Sequence, residues 1–146
     1  MIKEFSVVST NISSAKGTVK KPVVSINLKT GVGVVGDAHA GPGDRQVSLL
    51  ASEDIETTRV KGADIVNGSF AENITTRGID LAALPVGTRL NIGTVVLEIS
   101  QIGKQCHREC EIMRQAGDCI MPRRGVFAVV IAEGEVCRGD TGTYDI

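Results

Sequence analysis

Gly36-Asp37-Ala38-His39-Ala40-Gly41, followed by Arg45-Gln46-Val47-Ser48, sets a carboxylate, an imidazole and a guanidinium within nine residues of a glycine-rich stretch. Glycine lets a backbone turn sharply and approach a ligand closely. Charged side chains on a loop between rigid strands are a common way to build a binding or reaction site. A single Asp or His here would read as a polar surface turn. Asp37, His39 and Arg45 together make a candidate site in which His39, with Asp37 nearby, moves a proton or orients a ligand.

A second chemical segment runs from Gly103 to Arg124. It carries Lys104, Arg108, Arg114, Arg123 and Arg124 against Glu109, Glu111 and Asp118, a local excess of positive charge in a chain of net charge −1. Cys106 lies between Lys104 and Arg108, beside His107. Neighbouring cations stabilise a thiolate, lower the thiol pKa and make it a better nucleophile at neutral pH. The same cations suit an anionic ligand such as a phosphate. A metal reading competes: Cys106, His107, Cys110 and Cys119 are four soft ligands, enough to fill a tetrahedral zinc site, although C-x3-C is not the usual knuckle spacing. Cys137 falls in a strand-like stretch and reads as a small core residue. A third segment, Phe70-Ala71-Glu72-Asn73-Ile74-Thr75-Thr76, can line a polar pocket or form the wet face of a barrel.

The elements that must position these groups are mostly short strands. The chain has 146 residues, 42% of them hydrophobic, with 17 Gly and 4 Pro, which is one domain's worth of chain with a core of its own. Lys3 to Ile12 is strand-like, and Ser13 to Pro22 reads as an exposed loop. Val32 to Val35 leads into the Asp37 turn and Val47 to Leu50 leaves it. Ser52, followed by Glu53 and Asp54, starts a helix, with acids in the first turn where the helix dipole favours them and Gly62 as the stop. Phe70 to Thr76 is strand-like, and Ile79 to Leu84 is a short helical turn. Arg89 to Ile92 and Val95 to Ile102 flank Gly93-Thr94 as a hairpin. Alternation of Val95, Leu97 and Ile99 with Val96, Glu98 and Ser100 predicts one buried face. The apolar run from Val126 to Ala132 predicts a strand buried on both sides. Strands around Val136 and at the C-terminus complete a mainly β protein, a β-barrel or sandwich with one or two short helices. Residues 1–146 read as a single domain.

Composition excludes several classes. Trp is absent, Tyr144 is the only tyrosine and there are 3 Phe, so stacking platforms for single-stranded nucleic acid are missing. The net charge supplies no global attraction to nucleic acid or membrane. No apolar run is long enough for a membrane span, and Met1-Ile2-Lys3-Glu4 opens no signal peptide. The expectation is a cytoplasmic protein, whose thiols are reactive or metal-binding rather than paired. Gly31-Val32-Gly33-Val34-Val35-Gly36 has dinucleotide-fingerprint spacing, but Asp-Ala-His-Ala-Gly-Pro-Gly follows where a helix must open, so the match is accidental.

Taken together, the segments resemble the MOSC domain family, named for the C-terminal domain of molybdenum cofactor sulfurases. The resemblance rests on Gly36-Asp37-x-His39-x-Gly41 with Arg45-Gln-Val-Ser48, Phe70-x-Glu72-Asn73-Ile-Thr-Thr76 with Gly78-Ile-Asp-Leu81, and Gly87-Thr-x-Leu90-x-Ile-Gly93-x-Val-x-Leu97-Glu. Cys106 follows, and then Gly134-x-Val136-x-x-Gly139-Asp140. It runs from about Val32 to Tyr144, in order and spacing, and is of the small stand-alone bacterial type. It implies a MOSC-like barrel, binding of the molybdenum cofactor (molybdopterin), and a cysteine, Cys106, that carries sulfur or ligates molybdenum. Asp37, His39, Arg45 and Asn73 match polar positions around the pocket, and Lys104 and Arg108 would add attraction for the cofactor phosphate. Two departures stand out: Gly103-Lys104-Gln105 where the family often has Arg-x-Pro, and Ala71 where Phe-Gly-Glu-Asn is usual. Cys110 and Cys119 are extra to the pattern.

The expected function is therefore a sulfur carrier that binds the molybdenum cofactor or its precursor and acts in cofactor biosynthesis or maturation. Its partners would be cofactor-synthesis enzymes or molybdoenzymes, with no nucleic acid and no membrane. Enzymatic activity would be sulfur transfer through a Cys106 persulfide. With no aminotransferase-like domain attached, the chain is not expected to extract sulfur from cysteine itself. The alternative is a non-catalytic cofactor-delivery or partner-binding module with a structural zinc at Cys106, His107, Cys110 and Cys119.

Overall fold

A computed structural model describes residues 1–15, 19–59, 67–103 and 120–146. Seven strands form a closed barrel: β1 (Ile2–Ile12), β5 (Val47–Ala51), β6 (Ile74–Arg77), β7 (Arg89–Ile92), β8 (Val95–Ile102), β9 (Val126–Ala132) and β11 (Thr141–Asp145). Around the ring the order is β1-β11-β7-β8-β9-β5-β6 and back to β1. Closure rests on β1–β11 pairing, with Ile2 opposite Asp145 and Phe5 opposite Gly142. All neighbours are antiparallel except β5 and β6, whose parallel pairing requires a crossover. The described part of that crossover includes α1 (Ser52–Arg59), with Glu53 and Asp54 in its first turn. A stop at Gly62 lies outside the described residues.

Short β2 (Lys21–Val23) extends the sheet beside the end of β1. Strand β3 (Ser25–Lys29) pairs with β4 (Gly33–Val34) and with β10 (Gly134–Cys137) in a separate three-stranded sheet. Neither β2 nor β3 was expected from the sequence. β4 runs into a turn and not a helix, as the accidental dinucleotide match required.

The larger hydrophobic cluster gathers one face of each barrel strand, including Val47, Leu49, Leu90, Ile92, Leu97, Ile99, Val126 and Ala128. The hairpin forms as expected, with Ile92 opposite Val95 across Gly93-Thr94. In β8, Val95, Leu97 and Ile99 are buried while Val96, Glu98 and Ser100 are half-buried. A second cluster packs Leu50, Ile55, Phe70, Ile120 and Phe127 on the other face of the wall. The strand buried along its whole length on both faces is therefore β5. β9 departs from its expected double burial: Phe127 is covered by the second cluster, but Ile131, beyond that cover, is 39% exposed.

Residues 70–73 also differ from expectation. They form a turn before β6 and not the first half of a strand, because the Glu72 carboxylate folds back to take the Gly68 and Phe70 amides at 3.0 and 3.2 Å. Ala71 has φ +64° there, the one non-glycine residue at positive φ among those described. A family pattern with glycine at this position is what that backbone favours. Among the described residues no helix is long and apolar enough to cross a membrane.

Candidate functional site

The turn between β4 and β5 is built on Asp37. Gly36, at φ +84°, lets the chain bend so that the Asp37 side chain enters the protein. The bend is knitted to its surroundings by Ala38 N–H to Ser13 O at 2.8 Å and Gly41 N–H to Val32 O at 2.7 Å. Beneath it lies Lys20, whose ammonium and the Asp37 carboxylate are both fully buried. Lys20 Nζ donates to Asp37 Oδ1 at 2.8 Å and Oδ2 at 3.0 Å and to Ser13 Oγ at 3.3 Å. It also lies 3.0 Å from His39 Nδ1. The Ser13 and His39 backbone amides complete the carboxylate's shell at 3.0 and 3.1 Å. Burial alone would raise the Asp37 pKa; the Lys20 ammonium and the backbone amides of Ser13 and His39 outweigh it and hold the carboxyl well below the usual carboxylate range.

Above this cluster is an open cleft of about 640 Å³ lined by His39, Gly41, Pro42, Asp44, Arg45 and Gln101. The Arg45 guanidinium lies over the Phe127 ring, 5.4 Å from its centroid, and its Nε donates to Gln101 Oε1 at 3.2 Å. Gln101 Nε2 in turn donates to Gly103 O at 2.8 Å, and Gly103 N–H to Gly125 O at 2.6 Å. These bonds hold Gly103, the residue before Lys104, beside the cleft wall. Ser100 Oγ bonds to the Asp44 carbonyl, tying the loop to β8.

A polar network in the barrel wall supports the cluster from behind. Glu72 is completely buried, and besides the two amides its Oε2 accepts from Thr75 Oγ1 at 2.8 Å. Burial raises its pKa against these donors. Gly68, whose amide bonds Glu72, accepts the Lys20 amide through its own carbonyl at 2.8 Å. Gly68 has φ +89°, and a Cβ there would stand 2.1 Å from Lys20 O. Only glycine allows this approach.

The structure brings His39 and Arg45 to one cleft and sets Asp37 directly under it. Asn73, expected around the pocket, is instead in the wall: its Oδ1 accepts from Ser48 N and Oγ at 3.0 and 3.1 Å, and its Nδ2 donates to Asn11 O at 3.3 Å. Its side chain does not line the cleft, because buried backbone at the β5–β6 junction requires it. Lys104, Cys106, His107, Arg108, Cys110 and Cys119 lie outside the described residues. Among the described residues no group of three His, Cys, Asp or Glu is placed to hold a metal ion. Arg124, of the basic segment, is bound to Asp54 at 3.0 Å and to Asp80. Cys137 is not a core residue: it is half-buried, with Sγ 3.6 Å from Glu135 Oε1. Desolvation first, and then the Glu135 and Asp140 carboxylates, push its thiol pKa up.

Lys20 and Gln101 are site residues that the sequence reading missed. Lys20-Lys21-Pro22 looks like a solvated basic run, yet Lys20 is 2% exposed. The one available signal was Asp37 itself, since a carboxylate drawn under a turn needs a cation or several donors.

Comparison with known proteins matches the MOSC domain family model to residues 36–142. No curated protein matches. Solved structures similar to this chain include the YUAD protein from Bacillus subtilis, at TM-score 0.81 and 18% identity over 100% of this chain and 98% of that one. YiiM from Geobacillus stearothermophilus matches at TM-score 0.74 and 18% identity over 97% of this chain and 75% of that one. YiiM from Escherichia coli matches at TM-score 0.71 and 18% identity, over 99% and 70%. At these identities the structural likeness speaks to the fold.

Proposed function

The chain belongs to the MOSC domain family, and on that premise we propose that it binds the molybdenum cofactor or its precursor and carries sulfur on Cys106, in the cytoplasm. The observation that carries the reading is the cleft of His39, Arg45 and Gln101, with Gly103 held beside it by Gln101. Cys106 follows Gly103 by three residues in the sequence.

The residues present fit the cofactor. The cleft volume lies in the range of small-molecule sites, Arg45 supplies a fixed cation for an anionic group, and a thiolate suits a soft metal. Arg45, Lys104 and Arg108 would hold the phosphate, and Cys106 would face the metal. When bound, the cofactor supplies the centre that accepts sulfur. For loading, the Cys106 thiolate attacks the terminal sulfur of a donor persulfide. A new S–S bond forms at Cys106 as the donor S–S bond breaks, and the donor leaves as a thiolate. Donor and acceptor would be cofactor-synthesis enzymes or molybdoenzymes.

Mass spectrometry of protein purified from its own host tests this. The expected result is one extra sulfur on Cys106, removed by thiol reductant and absent in Cys106→Ser, together with a bound pterin that Arg45→Ala fails to retain while remaining folded. Stoichiometric zinc with no pterin, and unfolding on chelation, would overturn it in favour of a delivery module with zinc at Cys106, His107, Cys110 and Cys119.

A further inference from the structure

Nothing in the sulfur chemistry above uses Lys20, yet its ammonium is fully buried and directed at both the Asp37 carboxylate and the His39 ring. We propose that Lys20 is a positioning residue: it fixes the tautomer of His39, so that the imidazole presents Nε2–H to the cleft as a hydrogen-bond donor and does not serve there as a base.

The argument is geometric. Lys20 Nζ sits 2.8 and 3.0 Å from the two Asp37 oxygens, the arrangement of an ammonium beside a carboxylate. An ammonium has donors only. His39 Nδ1, 3.0 Å from Nζ, must therefore accept, and an accepting Nδ1 carries no proton. In a neutral imidazole the proton is then on Nε2. The competing tautomer would aim Nδ1–H at Asp37 Oδ2, but that separation is 3.7 Å, too long for a hydrogen bond. Asp37 Oδ2 already accepts from the His39 backbone amide at 3.1 Å and from Lys20.

With Nδ1 turned inward, the Nε2 edge is left for the cleft that the ring lines. Arg45, on the same cleft, also offers only donors, while Asp44 and Gln101 supply the acceptors that line it. The His39–Arg45 side of the cleft is thus built to hold acceptor atoms, such as the oxygens of an anionic or carbonyl group or a thiolate. This rests on the proposed function for the identity of the ligand. In that setting His39 would stabilise the Cys106 thiolate or a cofactor oxygen, and the proton of the thiol would leave by another route. Lys20 is itself held in place, because Gly68 accepts its amide and Glu72 fixes Gly68.

Long-range 1H–15N correlation on labelled protein carrying His107→Gln, which leaves His39 as the one histidine, reads the tautomer directly. At about pH 8, where an ordinary imidazole is neutral, the expected spectrum shows a single tautomer with Nε2 protonated and Nδ1 bare. The pair variant Lys20→Met/Asp37→Asn removes both buried charges, and it should shift both ring nitrogens toward the averaged values of exchanging tautomers. A protonated Nδ1 in the parent, or an unchanged single tautomer in the pair variant, would overturn the proposal. The readout is independent of whether sulfur or pterin is found on the protein, so failure here is distinct from failure of the functional reading.

Discussion

Replacing Lys20 by methionine keeps the length and apolar stem of the side chain and removes its charge. Asp37 would then be a fully buried carboxylate left with the Ser13 and His39 amides, without its cation. Breaking a buried pair from one side costs about 3–5 kcal/mol, whereas neutralising both partners costs far less. Lys20→Met is therefore expected to lose about 3–5 kcal/mol, or about 10–16 °C in Tm for a domain of this size, and Lys20→Met/Asp37→Asn only about 1–2 kcal/mol. Far-UV circular dichroism during urea and thermal unfolding measures both, since the chain has no Trp. The pH dependence adds a sign. In the parent, Asp37 is held below the ordinary carboxylate range, so its contribution is complete above the unfolded value of about 3.9 and is lost as pH falls through the depressed folded value. In Lys20→Met, burial acts without the cation and raises the same carboxyl, so the gap between the two proteins should narrow as pH falls from about 7 to about 4. A single variant within about 3 °C of the parent Tm, or a gap that widens on acidification, would refute the reasoning.

Three further outcomes are expected. Ala71→Gly should leave stability within about 1 kcal/mol, because relief of about 1–2 kcal/mol at positive φ offsets a lost buried methyl and added chain entropy, while Ala71→Val should cost at least about 2 kcal/mol; thermal melts rank the three proteins. Glu72 has a raised folded pKa, so its contribution to stability declines as pH climbs from the unfolded value of about 4.3 through the folded one; Glu72→Gln should flatten the stability–pH curve in that window, and a curve of unchanged slope would count against it. At about pH 7.5, iodoacetamide labelling with peptide mapping should modify Cys106 before Cys137, since desolvation and then Glu135 push the Cys137 thiol pKa up; faster labelling of Cys137 would reject an activated Cys106.

The barrel was legible wherever one periodicity met one environment. Val95, Leu97 and Ile99 alternate because β8 has the core on one side only, and Gly93-Thr94 announces its own hairpin. The sequence misled where burial depends on a distant partner. Val126 to Ala132 is uniformly apolar, but what covers Phe127 and leaves Ile131 exposed is the reach of the second cluster, which no local pattern records. Asp37, His39 and Arg45 were visible as chemistry because glycines isolate them on a turn. Lys20 was not, since its solvated-looking neighbourhood gives no hint of a carboxylate 17 residues later. Asn73 matches a pocket position of the family pattern, but a polar residue can serve a ligand or the wall, and only the position of Ser48 and Asn11 shows which one applies.

The pairing of Ile2 with Asp145 also sets the timetable of folding. One edge of β1 pairs with β6 and the far end of its other edge, Thr10 to Ile12, with β2, but Ile2 to Ser6 on that second edge have no partner until β11 has been synthesised. Contacts this distant in sequence make for slow folding, and through that interval the first half of β1 carries an open edge of unpaired amides and carbonyls. A nascent chain stalled before β11 would therefore be a strand-exchange hazard, and shortening the wait for that last strand would do more for soluble yield than strengthening a core that is already closed.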